Sequence, residues 1–164
     1  ISPFYSYSTG RTKETIRSSQ VTCRDIDGDG CIEIPEDTSS KKQSSEITSQ
    51  NWVNYGNTVL SHKCYSFSCK RDGYILVIDD DDFSKVKANY DSESRKLTII
   101  NKKNKSNVFE IVTLINSNYS VNDPKYKDYT MIMKNSGFVY LAKVNKSSDI
   151  DINIQTLKDM IKVY

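Results

Sequence analysis

The sequence predicts an α+β fold, an antiparallel β-sheet covered by a helix, preceded by an N-terminal strand–loop–strand segment. Three observations predict it. From Trp52 onward, short runs rich in Tyr, Ile, Val and Thr alternate with Asp, Asn, Ser and Gly turns, a composition that leans towards sheet. At the end of the chain, Ile154, Leu157, Met160, Ile161 and Tyr164 recur at helical spacing. Near the start, the run Asp25-Ile26-Asp27-Gly28-Asp29-Gly30-Cys31-Ile32-Glu33 is a tight acidic loop.

The elements follow in order. Residues 1–20 are polar, with few apolar anchors, and read as a loosely tied arm. The segment IRSSQVTCR reads as a strand through Val21 and Cys23. Residues 37–50, DTSSKKQSSEITSQ, are nearly devoid of apolar side chains and read as a linker. The boundary falls there, giving residues 1–48 as arm, loop and linker, and residues 49–164 as the α+β unit. Strands are predicted at 52–60 and 63–68, with a turn at 71–73. Tyr74-Ile75-Leu76-Val77-Ile78 is a continuous apolar run, the pattern of a strand buried on both faces. Residues 84–90 and 95–102 form a hairpin across Asp91-Ser92-Glu93-Ser94, and 108–115 is another strong strand. Residues 120–128 are a loop containing Pro124; 130–134 and 138–142 form a hairpin across Asn135-Ser136-Gly137. Asp149, Asp151 and Asn153 offer N-cap oxygens for the final helix, which would cover one face of the sheet.

Composition bounds the function. The chain has 164 residues with a formal net charge of +2, enough for one ordinary domain and too balanced for a dedicated nucleic-acid binder. No run approaches the roughly 18 apolar residues that span a bilayer. His62 is the only histidine, so a histidine-rich metal site or a common nucleophilic triad has almost nothing to work with. His62 and Trp52 read as surface and packing residues. The chain begins at Ile1, which reads as a processed or truncated start.

Chemistry concentrates in the acidic loop. Asp25, Asp27 and Asp29 occupy positions 1, 3 and 5, and Gly30 occupies position 6, where a sharp turn needs positive φ. Alternating side chains on a tightly turning backbone aim three carboxylates inward, and the backbone carbonyl of Cys31 adds a fourth oxygen. Ca²⁺ takes six to eight oxygen ligands, and a late acidic residue usually completes the set. Glu33 at position 9 and Glu36 at position 12 compete for that role. An EF-hand register would need a helix starting near position 9, but Ile34 precedes Pro35 and is pushed towards extended geometry. Glu33 is therefore favoured, with Glu36 as the alternative.

Cys23 and Cys31 bracket this loop, and Cys64 and Cys69 bracket Tyr65-Ser66-Phe67-Ser68. The spacings do not fit a zinc module. Two local disulfides, Cys23–Cys31 and Cys64–Cys69, in an exported protein are one reading; four reduced cysteines are the other.

The run DIDGDGCIEIP resembles the FG-GAP/VCBS-type repeat of integrin-like β-propellers, particularly as found in exported bacterial proteins. The resemblance implies a structural calcium loop. A propeller needs several blades, and the chain carries one such loop. The following 110 or so residues, through Gly73-Tyr74 to Asp82-Phe83, resemble the C-terminal domain that follows such repeats in exported or lipid-anchored proteins of Gram-positive bacteria, which is similar to the PsbP-like α/β/α fold. Asp79 and Phe83 stand where a proline and a tryptophan are common. This second resemblance implies a binding or assembly role without catalytic residues.

The functional expectation is an extracytoplasmic, secreted or surface-attached calcium-binding module. It would be non-catalytic and would bind a protein or cell-wall glycan partner at the bacterial surface. Two alternatives stand beside it. One is a carboxylate-dependent hydrolase using carboxylates around Asp79–Asp82, which requires a partner acid or Tyr facing them across a cleft; the sequence does not pair Asp82 with Glu110 or any other acid. The other is a domain for anionic polymers or glycans, for which Lys125-Tyr126-Lys127-Asp128-Tyr129 supplies rings and charge.

Overall fold

The computed structural model describes residues 19–39, 46–56, 59–120, 123–146 and 148–164, together with the backbone of two short strands, β1 (Tyr5–Ser6) and β2 (Arg11–Thr12). Most of the expected polar arm and the middle of the expected linker lie outside the described residues. The remaining strands are β3 (Ile34–Asp37), β4 (Ile47–Gly56), β5 (Val59–Cys69), β6 (Tyr74–Ile78), β7 (Val86–Asp91), β8 (Lys96–Asn101), β9 (Asn107–Ile115), β10 (Thr130–Lys134), β11 (Phe138–Val144) and β12 (Ile161–Val163). Two short helices, α1 (Asp80–Lys85) and α2 (Ile154–Met160), complete the set.

Ten of these strands form two antiparallel five-stranded sheets. The first runs β12-β6-β5-β4-β3 and the second β10-β11-β9-β8-β7. One core joins them. Phe67, Tyr74, Leu76 and Ile78 of the first sheet share a cluster with Val86, Leu97, Ile99, Phe109, Ile111 and Tyr140 of the second. The molecule is thus mostly antiparallel β. The layer laid against each sheet is chiefly the other sheet, while α2 contributes the buried Leu157 at the margin.

β6 has both faces buried, as its unbroken apolar run predicts. Tyr74, Leu76 and Ile78 point into the intersheet core. Ile75 and Val77 point the other way, into a second cluster with Val21, Ile26, Trp52 and Cys64. Segment 19–33 therefore covers the outer face of the first sheet, and its acidic loop is anchored there through Ile26. Arg24 adds a bond to the carbonyl of Val163 on β12 at 2.9 Å.

At the last helix the outcome differs from the sequence expectation. The final helix does not run to Tyr164. Asn153 caps it by accepting from Thr156 N–H at 3.0 Å, and it stops at Met160. Ile161–Val163 then pairs with Leu76–Tyr74, because the β6 edge supplies backbone partners that a further helical turn would leave unused. Asp79–Asp82 opens α1: Asp79 sits at the N-cap position and Asp80–Asp82 fill the first turn, where carboxylates complement the helix dipole.

A buried ion pair ties the two sheets at one end. Asp72, in the β5–β6 turn and fully buried, accepts from Arg95 Nε at 2.7 Å and from Tyr90 Oη–H at 2.8 Å. The Arg95 guanidinium lies 4.7 Å from the centre of the Phe138 ring. Tyr140 Oη–H donates to the carbonyl of Asp72 at 2.8 Å.

Candidate metal centre

The acidic loop is closed at its neck by an antiparallel bridge. Arg24 N–H donates to Glu33 C=O at 3.2 Å, and Glu33 N–H returns to Arg24 C=O at 3.0 Å. The chain leaves the neck as strand β3 and no helix follows the loop, whereas the strand expected through Val21 and Cys23 is not formed: before the loop only Arg24 pairs, in the single bridge to Glu33, and Val21 is held by side-chain burial instead. Pro35 in β3 is consistent with the extended geometry expected of Ile34.

Inside the neck, the loop is organised by its own carboxylates. Asp25 accepts from Gly28 N–H at 2.7 Å and from Gly30 N–H at 3.0 Å. Asp27 Oδ1 accepts from Asp29 N–H at 3.2 Å, and Asp29 Oδ1 from Cys31 N–H at 2.8 Å. Gly28 and Gly30 take φ of +84° and +86°; a Cβ would meet no atom within 4 Å, so the restriction there is backbone strain alone. One oxygen from each of Asp25, Asp27 and Asp29 lies within 4.8 Å of the others.

Glu33, at the neck of the loop, is fully buried and lies outside that 4.8 Å group. Its Oε2 accepts from Ile26 N–H at 3.0 Å, which turns the carboxylate back towards the start of the loop. Its Oε1 is buried without a hydrogen-bond partner among the described residues. Burial of a carboxylate oxygen with no partner is costly, and a cation at that oxygen would offset the cost. Glu36 is engaged elsewhere: its Oε2 accepts from Asn51 Nδ2–H at 2.9 Å, across β3 and β4. Asp25, Asp27 and Asp29 are therefore grouped, Glu33 bonds the loop backbone from its neck outside that group, and Glu36 faces a neighbouring strand. The donor set is all oxygen, the chemistry a hard cation such as Ca²⁺ prefers.

Sequence reasoning missed one participant. Lys63 on β5 places Nζ 2.6 Å from Asp29 Oδ2 and 3.1 Å from Asp27 Oδ2. The hydrogen bond from Lys63, followed by that from Cys31 N–H, holds the Asp29 carboxyl below its usual value, and Asp29, then Asp27, raises the Lys63 ammonium. Lys63 lies 34 positions from Asp29, so no local spacing announces it. The only signal was the need of crowded carboxylates for a positive partner.

None of the four cysteines forms a disulfide in the structure. Burial, followed by the charges of Asp27, Glu33 and Asp80, pushes the Cys64 thiol up to about 12. Burial does the same for Cys69, with Asp72 next, also to about 12. Cys31 is exposed, and its thiol is raised by Asp29.

The other candidate residues are dispersed. Trp52 is buried, and its indole N–H donates to Ser66 Oγ at 2.8 Å. His62 joins Asn51 Oδ1 to Asp80, with Nε2 2.8 Å from the Asp80 carboxylate. Asp82 pairs with Lys85 at 3.0 Å on α1. Glu110, on β9, accepts from Tyr129 Oη–H at 2.6 Å. Tyr126 and Tyr129 meet edge to face at 5.9 Å, with Lys125 Nζ 5.3 Å from the Tyr126 ring centre. No protein-family model matches the chain, and no curated protein or solved structure matches it.

Proposed function

We propose that this chain is a calcium-stabilised, non-catalytic module that acts outside the cytoplasm, in binding or assembly at a bacterial cell surface. The observation that carries the calcium reading is the grouping of Asp25, Asp27 and Asp29 within 4.8 Å, in a loop whose buried Glu33 has an Oε1 without a hydrogen-bond partner among the described residues. Asp25, Asp27, Asp29, Glu33 and the carbonyl of Cys31 would hold the ion, with Glu36 as the alternative closing group. The bound ion supplies charge neutralisation and cross-links the two flanks of the loop. Because Ile26 of the same loop packs on Trp52 and Ile75, the ion would also fix segment 19–33 on the sheet.

The extracytoplasmic and surface roles rest on the resemblance of DIDGDGCIEIP to FG-GAP/VCBS loops and of the remainder to the PsbP-like domain that follows them. Two packed antiparallel sheets with few helices are compatible with an α+β assignment at the coarse level. Asp82 and Glu110 each have their own partner, Lys85 and Tyr129, which favours the non-catalytic reading over the hydrolase.

Thermal melting in EDTA and then in excess Ca²⁺ tests the proposal. An ion present at about 100 times its dissociation constant adds about 2.7 kcal/mol, which in a chain of this size raises the midpoint by roughly 5–11 °C. Asp25→Ala and Asp27→Ala should abolish the rise. An unchanged wild-type midpoint contradicts the calcium reading.

A further inference from the structure

The geometry points to Lys63 as a built-in rival of the cation: in the ion-free protein its ammonium holds the Oδ2 atoms of Asp27 and Asp29, and it must leave them when a divalent ion enters. The inference rests on the reading of the loop as a calcium site. That reading has its own support in the buried, unpartnered Oε1 of Glu33.

Every aspartate oxygen of the loop is accounted for without an ion. Asp25 spends both oxygens on Gly28 and Gly30 N–H. Asp27 and Asp29 each spend Oδ1 on a backbone N–H, of Asp29 and Cys31. The two Oδ2 atoms remain, and Lys63 Nζ bridges them at 3.1 and 2.6 Å. Ca²⁺ bound to carboxylate oxygens sits about 2.3–2.6 Å from each. An ion between the same two oxygens would occupy nearly the same space as the ammonium, and the two cations would repel strongly at that separation. Lys63 and the ion therefore exclude one another. The lysine side chain is about a quarter exposed, with side-chain exposure of 26%, so it has an open route to solvent when displaced.

Two consequences separate this from a passive surface ion pair. First, Lys63 relieves the mutual repulsion of the loop carboxylates before any ion arrives, so the loop is folded in the ion-free protein. Second, the ion binds only the fraction of molecules whose loop Lys63 has vacated. If that fraction is about one-tenth, the apparent affinity is about tenfold weaker than the intrinsic one. Lys63 then sets the calcium concentration at which the module responds.

The test is calorimetric titration of CaCl₂ into the EDTA-stripped full chain, as wild type and as Lys63→Met, which keeps the aliphatic stem and removes the charge. Lys63→Gln serves as a second variant, with Trp52 emission checking the fold of each. The expected result is one ion per chain in every case, about tenfold tighter or more in the variants, with lower ion-free melting midpoints than wild type. Equal or weaker affinity in folded variants overturns the role of Lys63 and leaves the calcium reading standing. No binding in wild type or variants overturns both. A third arm uses wild type alone: acetylation of Lys63, followed by peptide mass spectrometry, should quicken when Ca²⁺ is added. An unchanged or slower rate in protein that binds Ca²⁺ overturns the displacement.

Discussion

Glu33 reaches back seven residues to accept from the backbone N–H of Ile26 at 3.0 Å, and its second carboxylate oxygen is buried with no hydrogen-bond partner among the described residues. The first contact fixes the loop. The second is an acceptor in a place where water does not reach. Glu33→Gln separates the two, since an amide oxygen can still accept from Ile26 while the charge is gone. A neutral amide is less costly to bury than a carboxylate. Glu33→Gln should therefore melt in EDTA no lower than wild type, and should lose the calcium-induced rise. A variant that melts lower in EDTA yet keeps the full rise contradicts this role for Glu33.

Ile26 couples the loop to the fold. It is 1% exposed and packs with Val21, Trp52 and Ile75 on the outer face of the first sheet. Truncating a buried Ile to Ala removes packing and leaves a cavity, at a typical cost of about 2–5 kcal/mol. Ile26→Ala should lose about that much in urea unfolding. It should also weaken calcium binding, because the loop it anchors is the one proposed to hold the ion. Trp52 is the only tryptophan of the chain and touches this cluster, so its emission should change as calcium is titrated in.

Local patterns carried much of the architecture. The apolar run Tyr74–Ile78 announced a strand buried on both faces, and turn residues located the β7–β8 and β10–β11 hairpins. The acidic loop was equally plain, because ligand spacing along six residues is a local property. What escaped the sequence is non-local. That the layer facing each sheet would be mostly another sheet depends on which faces meet. Ile161–Val163 carries helical spacing and still pairs with β6, because an open strand edge outweighs local periodicity. Lys63 joins Asp27 and Asp29 through tertiary placement alone. The same holds for Arg95 and Asp72, which are 23 positions apart.

The Asp72–Arg95 pair should be the most sensitive electrostatic contact in the fold. Asp72 is fully buried, and its carboxylate is held by Arg95 and Tyr90. Removing one partner of a buried pair strands the other charge, at a typical cost of about 3–5 kcal/mol. Arg95→Met should fall in stability by about that amount in urea titration. Adding Asp72→Asn should recover part of the loss, because the two changes share one interaction. Full additivity would mean that the contact contributes little.

Thiol chemistry reports both redox state and environment. With none of the four cysteines in a disulfide, the unfolded and unreduced protein should yield four equivalents with a thiol reagent. A count of zero would correspond instead to the local pairs Cys23–Cys31 and Cys64–Cys69. In the native protein at pH 8, Cys64 and Cys69 should alkylate slowly, because burial pushes both thiols up to about 12 and leaves little thiolate. Asp29 raises the Cys31 thiol, so Asp29→Ala should lower it and speed alkylation at Cys31. Peptide mass spectrometry at timed intervals reads each site separately.

Whether the loop from Asp25 to Glu33 takes one calcium ion can be measured directly. Equilibrium dialysis of the EDTA-stripped chain against radioactive calcium reads it without reference to stability or conformation. Wild type should saturate at one ion per chain, with Asp25→Ala and Asp27→Ala binding none at the same calcium concentration. No bound calcium on the folded wild-type chain at millimolar calcium, or equal binding by wild type and both variants, would contradict the calcium reading.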